Sequence, residues 1–151
     1  MKNMLIDLYY RDIDKLKEEM AGYTDQKLMW SVAPGIKNSG GNLCLHLIGN
    51  LNHFIGAVLG KNGYVRNRDA EFSQKNIPVE ELITQVEHTK EMVIQILAAL
   101  EEETLELDFP VPLNGQVFKT NHMLIFMLGH LNYHLGQINY HRRFLQQTES
   151  Q

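Results

Sequence analysis

Apolar side chains recur at helical spacing in four long stretches of this chain, and that repetition confines it to packed helices. Over residues 3–20 they fall at Leu5, Leu8, Tyr9, Ile13, Leu16 and Met20, close to a 3.6-residue period, and Gly22 stops the pattern. A second stretch begins near Ser39 or Asn42 and runs to Leu59, with Leu43, Leu47, Leu51, Phe54 and Val58 apolar. The third opens at Pro78, which suits a first helical turn, and Glu80 and Glu81 suit the positive end of the helix dipole. Its apolar positions are Leu82, Val86, Met92, Val93, Ile96, Leu97 and Leu100. The fourth starts near Thr120 or Asn121 and continues to about Gln147, and the last few residues are expected to fray. Helices of this kind must cover their apolar faces with one another, so the expected fold is all-α, a four-helix bundle formed by one domain over residues 1–151.

The connections differ in character. Asp25 to Gly41 is polar and rich in Gly and Pro, and reads as a loop around a short helical turn. Lys61 to Asn76 reads as a charged loop. From Phe109 to Phe118 the pattern alternates and turns at Asn114-Gly115, as in a small hairpin or extended loop. Pro110 and Pro112 exclude a central strand. Loops this uneven leave the order of helix packing open.

Charge and composition exclude several classes. A net charge of −4 argues against a nucleic-acid partner, which selects a basic face. No run of 18 or more apolar residues occurs, so no membrane span is expected. Asp7 interrupts the N-terminal segment too early for a signal peptide. The single cysteine, Cys44, has no internal disulfide partner, which suits a reducing compartment and makes the cytoplasm the expected location. Cys44 itself is expected to be buried and inert.

The chemistry lies in the histidines. His130 and His134 are four apart within the last helix, so they sit one turn apart and point the same way. Two imidazoles so placed can share one divalent ion, whose bonds to nitrogen are about 2.0–2.1 Å. His46, on the second helix, is positioned to complete a three-histidine set, with Asn50 one turn further along. Gln137, Asn132 or a backbone carbonyl could hold the second nitrogen of a ligating ring. Three protein ligands leave a fourth position open, as in catalytic zinc sites. Helix-borne histidines are also often ordinary core residues, and spacing alone does not separate the two readings. His53 and His141, each seven residues beyond a proposed ligand, read as polar-network or rim residues, and His88 and His122 as exposed or capping. A carboxylate-bridged di-iron bundle is disfavoured because the chain contains no Glu-x-x-His.

The stretch Asn38-Ser39-Gly40-Gly41-Asn42-Leu43-Cys44-Leu45-His46-Leu47, followed by His130-Leu131-Asn132-Tyr133-His134-Leu135-Gly136-Gln137-Ile138, resembles the DinB/YfiT-like superfamily. Its members show a serine-containing helix start leading into a first ligand histidine, and a late His-x-x-x-His followed by Gly-Gln. Trp30 to Gly35 is also similar to the family, and Arg66-Asn67-Arg68-Asp69-Ala70-Glu71-Phe72 resembles an Arg-Asp-containing loop of one uncharacterised subgroup. The resemblance implies a four-helix bundle holding a divalent metal, nickel or zinc above all, on His46, His130 and His134. It further implies a homodimer. Relatives include isomerases and S-transferases that use mycothiol, bacillithiol or glutathione, alongside proteins described as metal-dependent hydrolases. The family name derives from a DNA-damage-inducible gene, which implies stress expression rather than DNA chemistry.

The expectation is therefore a metal-dependent transferase in which a low-molecular-weight thiol is made acidic and its thiolate meets a small electrophile. Asn50 and Gln137 are expected to contact substrate or support ligands, and Arg66 or Arg68 to pair with a carboxylate-bearing cosubstrate. The plainer expectation for the arginines is an ion-paired or solvated surface. Two alternatives stand beside this reading. A hydrolase would need a general base, and neither histidine stripe carries Asp or Glu, so His53, His141 or a loop carboxylate would have to serve. A non-catalytic module would simply hold metal or a small molecule.

Overall fold

Four long helices arise where the periodicity places them. The computed structural model describes residues 1–148, and the expected fraying of the last few residues lies outside them. The elements are α1 (Lys2–Ala21), α2 (Gln26–Trp30), α3 (Gly40–Leu51) continued by a π-helix (Asn52–Leu59), α4 (Arg68–Ser73), α5 (Val79–Ala99), a 3₁₀ turn (Glu102–Glu106) and α6 (Thr120–Thr148). Each long helix packs against two neighbours in the cyclic order α1, α5, α3, α6, which closes the bundle. Leu5, Tyr9, Ile13, Leu16 and Met20 of α1 are buried as the period requires, whereas Leu8 is only half-buried, at the rim of that stripe.

The start of α3 is built by its own sequence. Ser39 caps the helix, its Oγ accepting from the Asn42 amide at 3.2 Å. Gly41 lets the helix press against the Trp30 ring, because a Cβ there would fall within the ring's carbons. Trp30 ends α2, the short helical turn expected between Asp25 and Gly41.

Three features depart from the expectations. The second helix does reach Leu59, but from Asn52 it widens into a π-helix. Asn52 explains this locally: its side-chain amide donates to the Ile48 carbonyl at 2.9 Å and to Thr89 Oγ1 on α5 at 2.9 Å, so a side chain intrudes on the backbone ladder. The wider register closes with Gly60 N donating to Ile55 O at 2.8 Å, a five-residue step. Second, the charged loop contains α4, capped by Asn67 Oδ1 accepting from Ala70 N at 3.1 Å. Third, Gly40–Leu59, with mean hydropathy 1.2, is long and apolar enough by composition to cross a bilayer, although 67% of that window is buried inside the bundle.

The Phe109–Phe118 segment turns at Asn114 and Gly115, with φ of 50° and 80°, as the Asn-Gly pair anticipates. Leu113 and Gln116 exchange backbone hydrogen bonds of 2.8 and 3.0 Å across it. Only isolated bridges form there, and no strand occurs among the described residues.

Candidate metal centre

His46 on α3 and His130 and His134 on α6 come together where those two helices pack. Their Nε2 atoms converge: His46 to His130 is 3.2 Å, and His134 to His130 is 3.1 Å. His46 is buried, and the other two are half-buried.

The partners of the outer nitrogens assign the tautomers. His46 Nδ1 lies 2.9 Å from Glu71 Oε2, so it carries the hydrogen and donates to the carboxylate. His134 Nδ1 lies 2.7 Å from Gln137 Oε1, and the other end of that amide donates to the Tyr133 hydroxyl at 3.2 Å. Both rings therefore present bare Nε2 lone pairs to His130. His130 Nε2 can supply at most one hydrogen, which satisfies one neighbour and leaves the other unpaired. A cluster with more lone pairs than hydrogens is matched to a cation. Tetrahedral bonds of about 2.0–2.1 Å would separate ligand nitrogens by roughly 3.3–3.4 Å, close to the spacing seen. The three imidazoles thus fit a divalent metal ion, and the donor set does not choose between nickel and zinc.

Behind His46 stands a built support. Glu71, on α4, is buried and accepts from Arg66 Nε at 2.6 Å and Nη2 at 2.9 Å as well as from His46. Arg66 Nη2 also approaches His46 Nδ1 to 3.3 Å, because both donors converge on Glu71 Oε2. Gly49 makes room for the carboxylate: a Cβ there would land on it. Asn42 fixes α4 in place, its side-chain amide donating to the carbonyls of Glu71 at 3.0 Å and Gln74 at 2.8 Å. Ser39, Asn42, His46 and Gly49 thus form one working strip of α3. Of this strip the sequence singles out Ser39 as the helix start and His46 as a ligand; Gly49, and Glu71 on α4, are missed. The local signal near Glu71 is Asn67, a residue type that caps helix starts.

Burial is the first cause of the low basicity here. It lowers His46, a fall that Glu71 partly offsets, and it lowers His130 to about 4 together with the charges of His134, His46, Arg66 and Arg68. Rings that stay neutral offer lone pairs, as metal ligation requires.

A cavity of about 320 Å³ opens onto the cluster, lined by His46 and His130, by Asn50 and Phe54, by Arg66 and Arg68, and by Leu113 and Asn114 of the hairpin turn. Both expected substrate residues on this side, Asn50 and Arg68, therefore reach the same space. Arg66 takes the plainer of its two expected roles, an internal ion pair: its Nε and Nη2 both donate to Glu71. Gln137 serves as the support of His134, while Asn132 turns away and donates to Asp12 of α1 at 2.7 Å. A larger cavity, about 570 Å³, lies beyond Gln137 and Tyr133 and is lined by no ring of the triad.

The remaining histidines fall as the plainer readings had them. His141 is buried in a polar network with Tyr23 Oη at 2.7 Å and Ser31 O at 2.9 Å. His53 packs edge-on against Phe54, and His88 and His122 are exposed. Cys44 is fully buried, and burial pushes its thiol up to about 12, so it takes no part.

Residues 4–151 match the family described as "Protein of unknown function (DUF1572)". No curated protein matches the chain.

Proposed function

The chain belongs to the DUF1572 family, and on that premise we propose that it is a divalent-metal protein of the DinB/YfiT-like kind that transfers a low-molecular-weight thiol to a small electrophile. His46, His130 and His134 would hold the ion, nickel or zinc. A bound ion supplies Lewis acidity that lowers the pKa of a thiol or water beside it. The chain's own residues do the rest. Glu71 keeps His46 in the tautomer that presents Nε2, and Gln137 does the same for His134. Phe54, Leu113, Met123 and Met127 provide apolar walls that limit water near the reacting groups.

The observation that favours thiol transfer over hydrolysis is the state of Glu71. It is the carboxylate at the cluster, and three hydrogen bonds from His46 and Arg66 occupy it, so it is poorly placed to take a proton from water. None of the residues lining the cavity is a carboxylate. A thiol would depend less on such a base, because it starts from a pKa of about 8.5 against about 15.7 for water, so a bound ion would leave it ionised at neutral pH with its proton released to solvent. A homodimer, cytoplasmic location and a role in stress or detoxification belong to the same proposal. For a dimer, the exposed Phe126, Tyr133, Tyr140 and Phe144 of α6 form the surface to bury.

The test is kinetic. Zinc- or nickel-loaded protein is expected to consume an electrophile such as a chloronitroarene only with thiol present, at a rate that saturates in thiol. Ester hydrolysis without thiol would favour a hydrolase, and turnover of neither would leave a metal-holding module.

A further inference from the structure

The cavity beside the triad carries two features that metal ligation does not use. Arg68 lines it and makes no ion pair among the described residues, whereas the neighbouring Arg66 charge is already neutralised by Glu71. The lining therefore holds one uncompensated guanidinium and no carboxylate. The second feature is Asn50. It is 9% exposed, it lines the same cavity, and its Oδ1 is buried without a hydrogen-bond partner. Orphaned buried acceptors are costly and uncommon, so one on a residue that lines a cavity signals a missing donor. Beside the histidines and the Asn114 amide, Phe54, Leu113, Met123, Phe126 and Met127 form an apolar stretch of the wall. At about 320 Å³ the space is near the lower limit for ligand pockets.

From the joint placement of Arg68, the orphaned Asn50 acceptor and the apolar wall, we propose that this cavity binds a small organic acid. Its carboxylate pairs with Arg68, and an N–H or O–H group of the same molecule donates to Asn50 Oδ1. A short apolar body lies against Phe54 and the methionines, and the remaining end faces the histidines. This deepens the metal-transferase reading and rests on it for the identity of the reacting end, but the acid site itself stands on Arg68 and Asn50. Guanidinium matches carboxylate with two parallel donors, so Arg68 confers selectivity for acids over esters. Both residues are specificity determinants rather than metal ligands.

The probe is N-acetylglycine, which has one carboxylate and one amide N–H, with its methyl ester and its N-methyl derivative as controls. Binding is measured by NMR titration to the metal-free and the zinc-loaded protein, and zinc stoichiometry is determined on the same samples. The wild type is expected to prefer the acid over the ester in both forms. Arg68→Gln, an exposed position that should not disturb folding, is expected to weaken acid binding roughly 3- to 10-fold and leave the ester unchanged. The N-methyl acid should bind more weakly than N-acetylglycine to the wild type but equally to Asn50→Leu. Equal binding of acid and ester, no saturable binding of the acid, or an acid preference that survives Arg68→Gln would overturn the proposal. Failure to bind zinc would count against the metal reading alone, because the acid preference is also read in the metal-free protein.

Discussion

Truncating Glu71 to alanine is expected to weaken metal binding although no ligand is lost. The carboxylate side chain is 6% exposed and accepts three hydrogen bonds, one from His46 Nδ1 at 2.9 Å and two from Arg66 at 2.6 and 2.9 Å. Without it, His46 loses the acceptor that fixes its tautomer and ring angle. Removing such a partner typically costs about 10- to 100-fold in metal affinity, or about 1.4–2.7 kcal/mol. Stability falls as well, because the Arg66 charge is left buried without its partner. Breaking a buried pair in this way costs about 3–5 kcal/mol, and the 15% exposure of Arg66 puts this case at the low end. Zinc affinity is read by competition with a chromophoric chelator, and stability by urea unfolding of the metal-free protein. Glu71→Gln keeps an acceptor for His46 and should fall between the wild type and Glu71→Ala in affinity. A folded Glu71→Ala protein that binds zinc as tightly as the wild type would refute the reasoning and confine Glu71 to holding Arg66.

Gly49→Ala is expected to destabilise the protein by about 1–3 kcal/mol, although alanine is the better helix former, because its methyl group would collide with the Glu71 carboxylate. The same variant should bind zinc more weakly, and unchanged affinity in the chelator assay would contradict the packing argument. Acid should unfold the protein through three carboxyls held below the ordinary range. Burial works to raise Asp12, and hydrogen bonds from Arg11 and Asn132 outweigh it; Asp14 is lowered first by Lys90, and Glu87 first by Lys17. A carboxyl lowered on folding contributes stability above its unfolded pKa of about 4, and that contribution disappears as pH falls through the folded value. Urea midpoints should begin to fall below about pH 6.5, where the unfolded chain protonates His46, His130 and His141 while burial keeps them neutral in the fold. They should drop further below about pH 4 as the carboxyls protonate, that second drop being less steep in Asp12→Asn. A midpoint insensitive to acid would contradict the assignment.

The long helices were legible because each repeats its apolar period over several turns, and Ser39 and the Asn114-Gly115 turn because their residue types have few other uses. The triad was legible in part. His130 and His134 are paired by local spacing, whereas His46 lies 84 residues from His130, and only tertiary packing brings the two together. Glu71 escaped because α4 is six residues long, too short for a periodic signal, and its contact with His46 depends on Gly49 and Asn42 across the α3–α4 junction. The π-helix escaped for a related reason: Asn52 reads as one polar residue in an apolar helix until Thr89 and the Ile48 carbonyl are seen beside it. Arg66 and Arg68 are two residues apart with the same charge, yet one is consumed by Glu71 and the other is left facing the cavity. Their sequence gave no ground for telling them apart.

The central claim is that His46, His130 and His134 hold one divalent ion. Elemental analysis of untagged protein, wild type beside His134→Ala, tests it most directly. About one nickel or zinc ion per chain in the wild type, lost in the variant while the helical circular dichroism is retained, is the predicted result. Stoichiometric metal retained in His134→Ala, or a wild type that takes up neither ion when supplied with it, would contradict the claim.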